Sequence, residues 1–186
     1  PRKIEHTVTP KGGSFHIQPV TADHIDQLSV LLCEAVALGA SVSFMHPLSM
    51  ERAQDFWRTA LDDVSRGGRI VLGAFENNKL VATASLMLDF PDNQPHRAEV
   101  GKLITAPFYR GRGLASLLMR SVEELAVERG KSLLVLDTAE DGGAAALYER
   151  LGYTRVGIIP DFALKPQGGL SATVLFWKRF KPPVRL

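Results

Sequence analysis

Cysteine is almost missing from this chain of 186 residues. Cys33 stands alone, so no internal disulfide can form and a reducing compartment, the cytoplasm, is the expected location. No apolar run approaches the ~18 residues that a membrane-spanning helix needs, and the first residues lack the apolar stretch of a signal peptide. No membrane partner is expected. Neither sign of charge prevails: 22 lysines and arginines face 20 acids, a formal net charge of +2. That is too weak a cationic field for binding nucleic acid through its phosphates. The five histidines are scattered without ligand spacing, so no metal is expected. Internal repeats and low-complexity linkers are also missing. What remains is 45% hydrophobic and 23% charged, the balance of a globular protein. At this length the reading is one domain with one sizeable core.

Residues 1–13, with Pro10 and Gly12-Gly13, read as a loose lead-in. Residues 179–186 read as a tail, because Pro182-Pro183 fits neither a helix nor a central strand. The domain is expected over residues 14–178. Phe15 opens a first strand. Thr21 offers an N-cap before Ile25, Leu28, Leu31, Leu32 and Ala35, a stripe at helical spacing. Ser49 precedes a second such stripe, Ala53, Phe56, Trp57, Ala60, Leu61 and Val64, stopped by Gly67-Gly68. Residues 39–47 between them are apolar without helical period, which suits a functional loop. Strands follow over 69–75 and 80–88, turned at Asn77-Asn78, and over 97–105. A helix over 113–129 leads to the apolar strand 133–137, then a helix near 143–151 and strands over 154–159 and 172–177. The sum is a mixed α/β layer, antiparallel strands first and a strand–helix–strand unit after them.

The segment Tyr109-Arg110-Gly111-Arg112-Gly113-Leu114-Ala115 joins the third of these sheet strands to an amphipathic helix. Glycines let the backbone turn sharply and come close to a ligand. The first N–H groups of a helix lack partners within it and converge on an anion. Arg110 and Arg112 add charge beside the anion's oxygens without a metal. Such a loop suits a pyrophosphate.

Arg110-x-x-Gly113-x-Ala115 resembles the acetyl-CoA loop of the GNAT acetyltransferase superfamily, and residues 102–107 resemble the strand and loop that lead into it. Ala144-Ala145-Ala146-Leu147-Tyr148 with Gly152-Tyr153 is similar to a second family element. The asparagine common in that element is Asp141 here. The resemblance implies a GNAT-type fold, a central mixed, mostly antiparallel sheet of about six to seven strands flanked by about four helices. It implies acetyl-CoA as co-substrate, held by Arg110, Gly111, Arg112, Gly113, Leu114 and Ala115, by the backbone of Leu103, Ile104 and Thr105, and by Asp141 and Ala144. Residues 39–45, 97–100, 136–138 and 153–157 look more narrowly like the tabtoxin-resistance acetyltransferases, which act on an amino-acid-like toxin.

Acyl transfer from a thioester to an amine asks that the ammonium lose a proton, the carbonyl be polarised and the departing sulfur be protonated. Glu99, on the strand before the loop, is the expected base, and its bland alternative is an ion pair with Arg97. Asp137, at the end of a buried strand, is expected to hold or deprotonate the amine, and otherwise to cap the next segment. Tyr148 matches the family tyrosine that protonates the thiolate. Val42, Phe44 and Met45 of the apolar loop are expected to touch the acceptor, a primary amine of a small molecule. The alternatives are an acetyltransferase of protein N-termini or lysines, and a non-catalytic acyl-CoA-binding module. An exposed last strand and the proline-bearing tail would suit a homodimer.

Overall fold

The computed structural model describes residues 6–8 and 14–181. Eight strands form one sheet in the order β1-β2-β3-β4-β5-β6-β8-β7. They are β1 (His6–Val8), β2 (Phe15–Pro19), β3 (Arg69–Glu76), β4 (Lys79–Met87), β5 (Arg97–Thr105), β6 (Leu133–Ala139), β7 (Thr154–Leu164) and β8 (Leu170–Arg179). Every pairing is antiparallel except β5 with β6. The helices are α1 (Ile25–Ala37), α2 (Met50–Ser65), α3 (Leu114–Glu128) and α4 (Ala145–Arg150). This is the mixed, mostly antiparallel architecture expected, one strand longer because His6–Val8, inside the segment read as a loose lead-in, pairs with β2.

The helices take opposite faces of the sheet, each burying the stripe its spacing announced. Leu28, Leu32 and Val36 of α1 and Trp57 and Ala60 of α2 pack on Val71, Phe75, Leu80 and Ile104. Leu114, Leu118, Met119 and Val122 of α3 pack on Leu72, Ala74, Val100, Leu134 and Phe176. Strands β3 and β4 are therefore buried on both sides. Each fully buried Leu or Phe in these layers contributes about 1.5–3 kcal/mol. Helix α2 starts where Ser49 accepts a hydrogen bond from the Arg52 amide at 3.2 Å. It ends at Arg66, after which Gly67 turns the chain in a left-handed conformation of φ +80°.

Two irregularities make room for a ligand. Pairing of β4 with β5 shifts register between Thr83 and Ser85, and Lys102 on β5 adopts φ +51°. Such bulges bend a strand. Strand β5 stays with β4 as far as Thr105, and β6 stays with β8 as far as Ala139. Between them the parallel ladder runs only from Arg97/Leu133 to Glu99/Val135. The middle of the sheet parts from there on.

The last strand, β8, lies between β6 and β7, so the sheet's edge is β7 rather than the strand expected to be exposed. The hairpin it forms with β8 is longer than the sequence spacing suggested, reaching Leu164 and Leu170.

Candidate active site

Where β5 and β6 part, a cavity of about 260 Å³ opens. Val100, Gly101, Lys102 and Leu103 line it from β5, and Asp137, Thr138 and Ala139 from β6. Residues 41–44 cover one side and residues 162–164 of β7 another. Such a position, beyond the carboxyl ends of parallel strands, is where α/β sheets take ligands.

Asp137 and Tyr148 both face this space. Asp137 is exposed, and the Thr173 hydroxyl donates to its Oδ2 at 2.7 Å. Tyr148 is 5% exposed and packs against Tyr153 and Phe176, with ring centroids 5.8 and 5.7 Å away. Burial, with a smaller push from the charge of Asp137, raises its phenol to about 12, so the group carries its proton at neutral pH. Glu99 is not brought to the cavity. It faces away from buried Ala98 and Val100, and Arg97 Nη1 donates to its Oε1 at 2.5 Å. Arg97 is itself fixed by Gln94 at 2.7 Å and by the Phe90 ring, 4.0 Å from its guanidinium to the centroid. The bland alternative describes this residue's surroundings.

Of the covering loop, Val42 and Phe44 line the cavity, and Phe44 stacks edge-on against Phe56 at 5.3 Å. Met45 does not line it and is 43% exposed. Side-chain direction along an irregular loop cannot be read from spacing, so the sequence does not separate Met45 from the other two.

The turn ahead of α3 has the shape its glycines suggested. Gly111 and Gly113 are left-handed, φ +74° and +81°, and nothing lies within 4 Å of where a Cβ would stand on either. Arg110 is exposed, while Arg112 folds back over the Phe108 and Tyr109 rings, 5.0 Å from each centroid. The N–H groups of residues 112–115 open α3 beside this turn, and the side of β5 facing β6 has no ladder partner beyond Glu99 among the described residues. These are the features a pyrophosphate and an extended amide-bearing arm require, so the chain's geometry fits acetyl-CoA. The side chains of Leu114 and Ile104 are in the core, 1% and 5% exposed, which leaves their backbones to serve. Thr105 pairs with Ala82, Ala115 follows on α3, and Ala144 lines the cavity. Asp141 is held by neighbouring side chains: Lys165 donates to its Oδ2 and holds its carboxyl below the usual range, and Ser171, on the cavity lining, donates to Oδ1 at 3.3 Å.

Sequence reasoning passes over Lys102, Thr173 and Phe162. Lys102 lines the cavity and donates to Ser43 Oγ at 3.0 Å. Burial lowers its pKa, the like charge of Arg69 lowers it further, and Asp137 partly restores it. The available signal is its position two residues before Ile104 in the strand that leads to the loop.

A profile of the acetyltransferase (GNAT) family matches residues 38–153. The ribosomal protein bS18-alanine N-acetyltransferase of Haemophilus influenzae is 29% identical over 106 residues, 56% of this chain and 68% of that protein. N-alpha-acetyltransferase MAK3 of Arabidopsis thaliana is 30% identical over 112 residues, 60% of this chain, and the match spans only 58% of the plant protein. Among solved structures, yncA of Salmonella typhimurium, determined with its cofactor acetyl-CoA, shares the fold with a TM-score of 0.75 at 17% identity, over 92% of this chain and 96% of that one. No helix among the described residues is long and apolar enough to cross a membrane. With the family profile covering more than half of its length, the chain belongs to the acetyltransferase (GNAT) family and is an acetyl-CoA-dependent acyltransferase.

Proposed function

We propose that this chain acetylates the primary amine of a small molecule, by direct transfer within the cavity between β5 and β6. The observation that carries the reading is the size and cover of that cavity: about 260 Å³, covered on two sides by residues 41–44 and 162–164, with Asp137 and Tyr148 on its wall. Acetyl-CoA, when bound, supplies the acetyl group as a thioester. The amides of residues 112–115 and the Arg110 guanidinium hold its pyrophosphate, and the free side of β5 at Leu103 to Thr105 pairs with its pantetheine arm. A backbone N–H of the same stretch polarises the carbonyl. Asp137 attracts the acceptor's ammonium and takes its proton. Tyr148 gives its phenolic proton to the departing sulfur. A role for Glu99 as base requires a water between its carboxylate and the amine, because Arg97 holds that carboxylate outside the cavity.

A second reading comes from the relatives. Two are named for acetylation of a ribosomal protein's alanine and for N-alpha-acetylation, so a polypeptide N-terminus is the rival acceptor. Release of free thiol from acetyl-CoA, measured with a panel of small amines and of short peptides, decides between them. Small amines alone should be turned over; peptides alone would establish the rival, and no release with any acceptor would overturn the small-amine reading. The narrower resemblance adds amino-acid-like amines to the panel. The edge of β7, which has no strand beside it among the described residues, further suits pairing with a second copy of the chain.

A further inference from the structure

Lys102 sits in the cavity against several physical preferences. Its backbone is left-handed, φ +51°, a conformation that favours glycine. Its side chain is half-buried, although the long stem of a lysine ordinarily carries the ammonium out to water. Among the described residues no carboxylate forms an ion pair with it. Its hydrogen bond goes to the neutral hydroxyl of Ser43, and the Phe56 ring lies 5.4 Å from Nζ. Asp137 across the cavity acts on it without touching it, and a strained backbone with a charge that lacks a contacting partner persists where a ligand uses it.

The cavity's lining holds one other charged residue, Asp137. The space therefore presents one positive and one negative group, on the separated strands β5 and β6. Asp137 is suited to the ammonium of the acceptor. We propose that Lys102 binds a carboxylate of the same molecule, with the Ser43 hydroxyl beside it, so that the preferred acceptor is a small amine that also carries a carboxylate. This rests on the small-amine reading above. A neutral amine, or a polypeptide N-terminus whose nearest carbonyl is an amide, would bring an ammonium to Asp137 and no negative group to Lys102, which is selection by penalty as well as by attraction. It would also place Ser43, and with it the loop 41–44, in contact with the acceptor.

The test uses the full chain, acetyl-CoA and free-thiol release. The acceptors are 4-aminobutyrate, L-ornithine and L-lysine, each beside its carboxamide, and a short peptide amide with a free N-terminus. For at least one pair kcat/KM should favour the acid by about 10- to 100-fold, the range for a hydrogen bond to a charged group. Lys102→Met should bring that ratio to about one, with the loss in KM for the acid, and Lys102→Arg should keep part of the preference. Unchanged acetyl-CoA affinity, read by calorimetry, certifies that the variants are folded. Equal use of acids and amides by the unaltered protein overturns the inference. So does an equal loss on both in Lys102→Met, which would make Lys102 a tether for the loop through Ser43. Preference for the amides overturns this inference and leaves the small-amine reading standing, whereas turnover of the peptide alone, or of no acceptor, overturns both.

Discussion

A phenol that must give up a proton has to hold it first, and Tyr148 does so because its ring is enclosed by Tyr153 and Phe176 while its cavity wall also carries Asp137. With the phenol raised to about 12, Tyr148→Phe should lower kcat by about 10²–10⁴-fold, the usual contribution of general acid catalysis, and leave acetyl-CoA affinity nearly intact. A drop below about threefold would make the residue a packing aromatic only. The same raised value sets a stability window. The folded state holds this proton more tightly than the unfolded chain does, so the contribution is full below about pH 10 and is lost as pH rises through about 12. Denaturant midpoints of Tyr148→Phe should therefore fall less between about pH 9 and pH 11.5 than those of the unaltered protein. The carboxylates divide differently. A free alkylammonium titrates at about 10.4, so the base matters most at low pH. Asp137→Asn should raise KM for the amine and depress kcat most at the acid end, while Glu99→Gln, whose partner Arg97 is outside the cavity, should cost less than about threefold. A pH–rate profile reversed between these two variants would return the role of base to Glu99. Glu99 is the stronger candidate before the structure is seen because the family resemblance implies a carboxylate base on that strand. The strand's alternation sets its face, and where its carboxylate rests depends on the Arg97 guanidinium, clamped by Gln94 and Phe90.

Among the elements, those that bury a periodic stripe are legible. The spacing of Leu28, Leu32 and Ala35, of Trp57 and Ala60, and of Leu118 and Val122 is enforced by the face each helix must bury, and the structure has those helices where the stripes lie. The turn ahead of α3 is legible for another reason, because glycine at positive φ has few substitutes. Gly113 makes a sharp test: its φ of +81° is strained for any β-branched residue, and a side chain there would stand where the pyrophosphate is proposed to lie. Gly113→Val should weaken acetyl-CoA binding by about tenfold or more, read by calorimetry on protein whose circular dichroism is unchanged, and unaltered affinity would remove the loop from the site. What spacing does not carry is irregularity. Nothing in residues 97–105 marks Lys102 as the place where β5 bends, and the parting of β5 from β6 accompanies that bend. Nor does Thr154 to Ile159 announce that its strand runs on to Leu164 and delivers Phe162 to the cavity. The cavity is built by partners distant in sequence, so spacing shows its members only singly and hides Lys102 and Thr173.

At the scale of the whole molecule, the sheet ends on β7, whose outer backbone groups have no strand beside them among the described residues. Edges of this kind are commonly guarded by charge or by proline. Here Pro160 and Asp161 interrupt β7 at a register break between Ile159 and Ala163, yet on either side of them Val156, Ile158, Ile159, Phe162 and Leu164 are each at least 40% exposed. Two copies related by a two-fold axis would bring this edge against itself, pairing backbone groups and covering the apolar side chains at once. Phe162 and Leu164 also line the cavity, so such pairing would steady one of its covers. Sedimentation equilibrium at micromolar concentration should accordingly give a dimer, and Ile158→Lys, which puts a charge on the edge away from the cavity lining, should shift it to monomer. If the dimer steadies the cover formed by residues 162–164, the monomeric variant should show a raised KM for the amine with acetyl-CoA affinity preserved, since the loop ahead of α3 is no part of that cover. A monomer at every concentration tested would mean that β7 is an exposed edge in solution, and the cavity would then have to close with the chain's own residues alone.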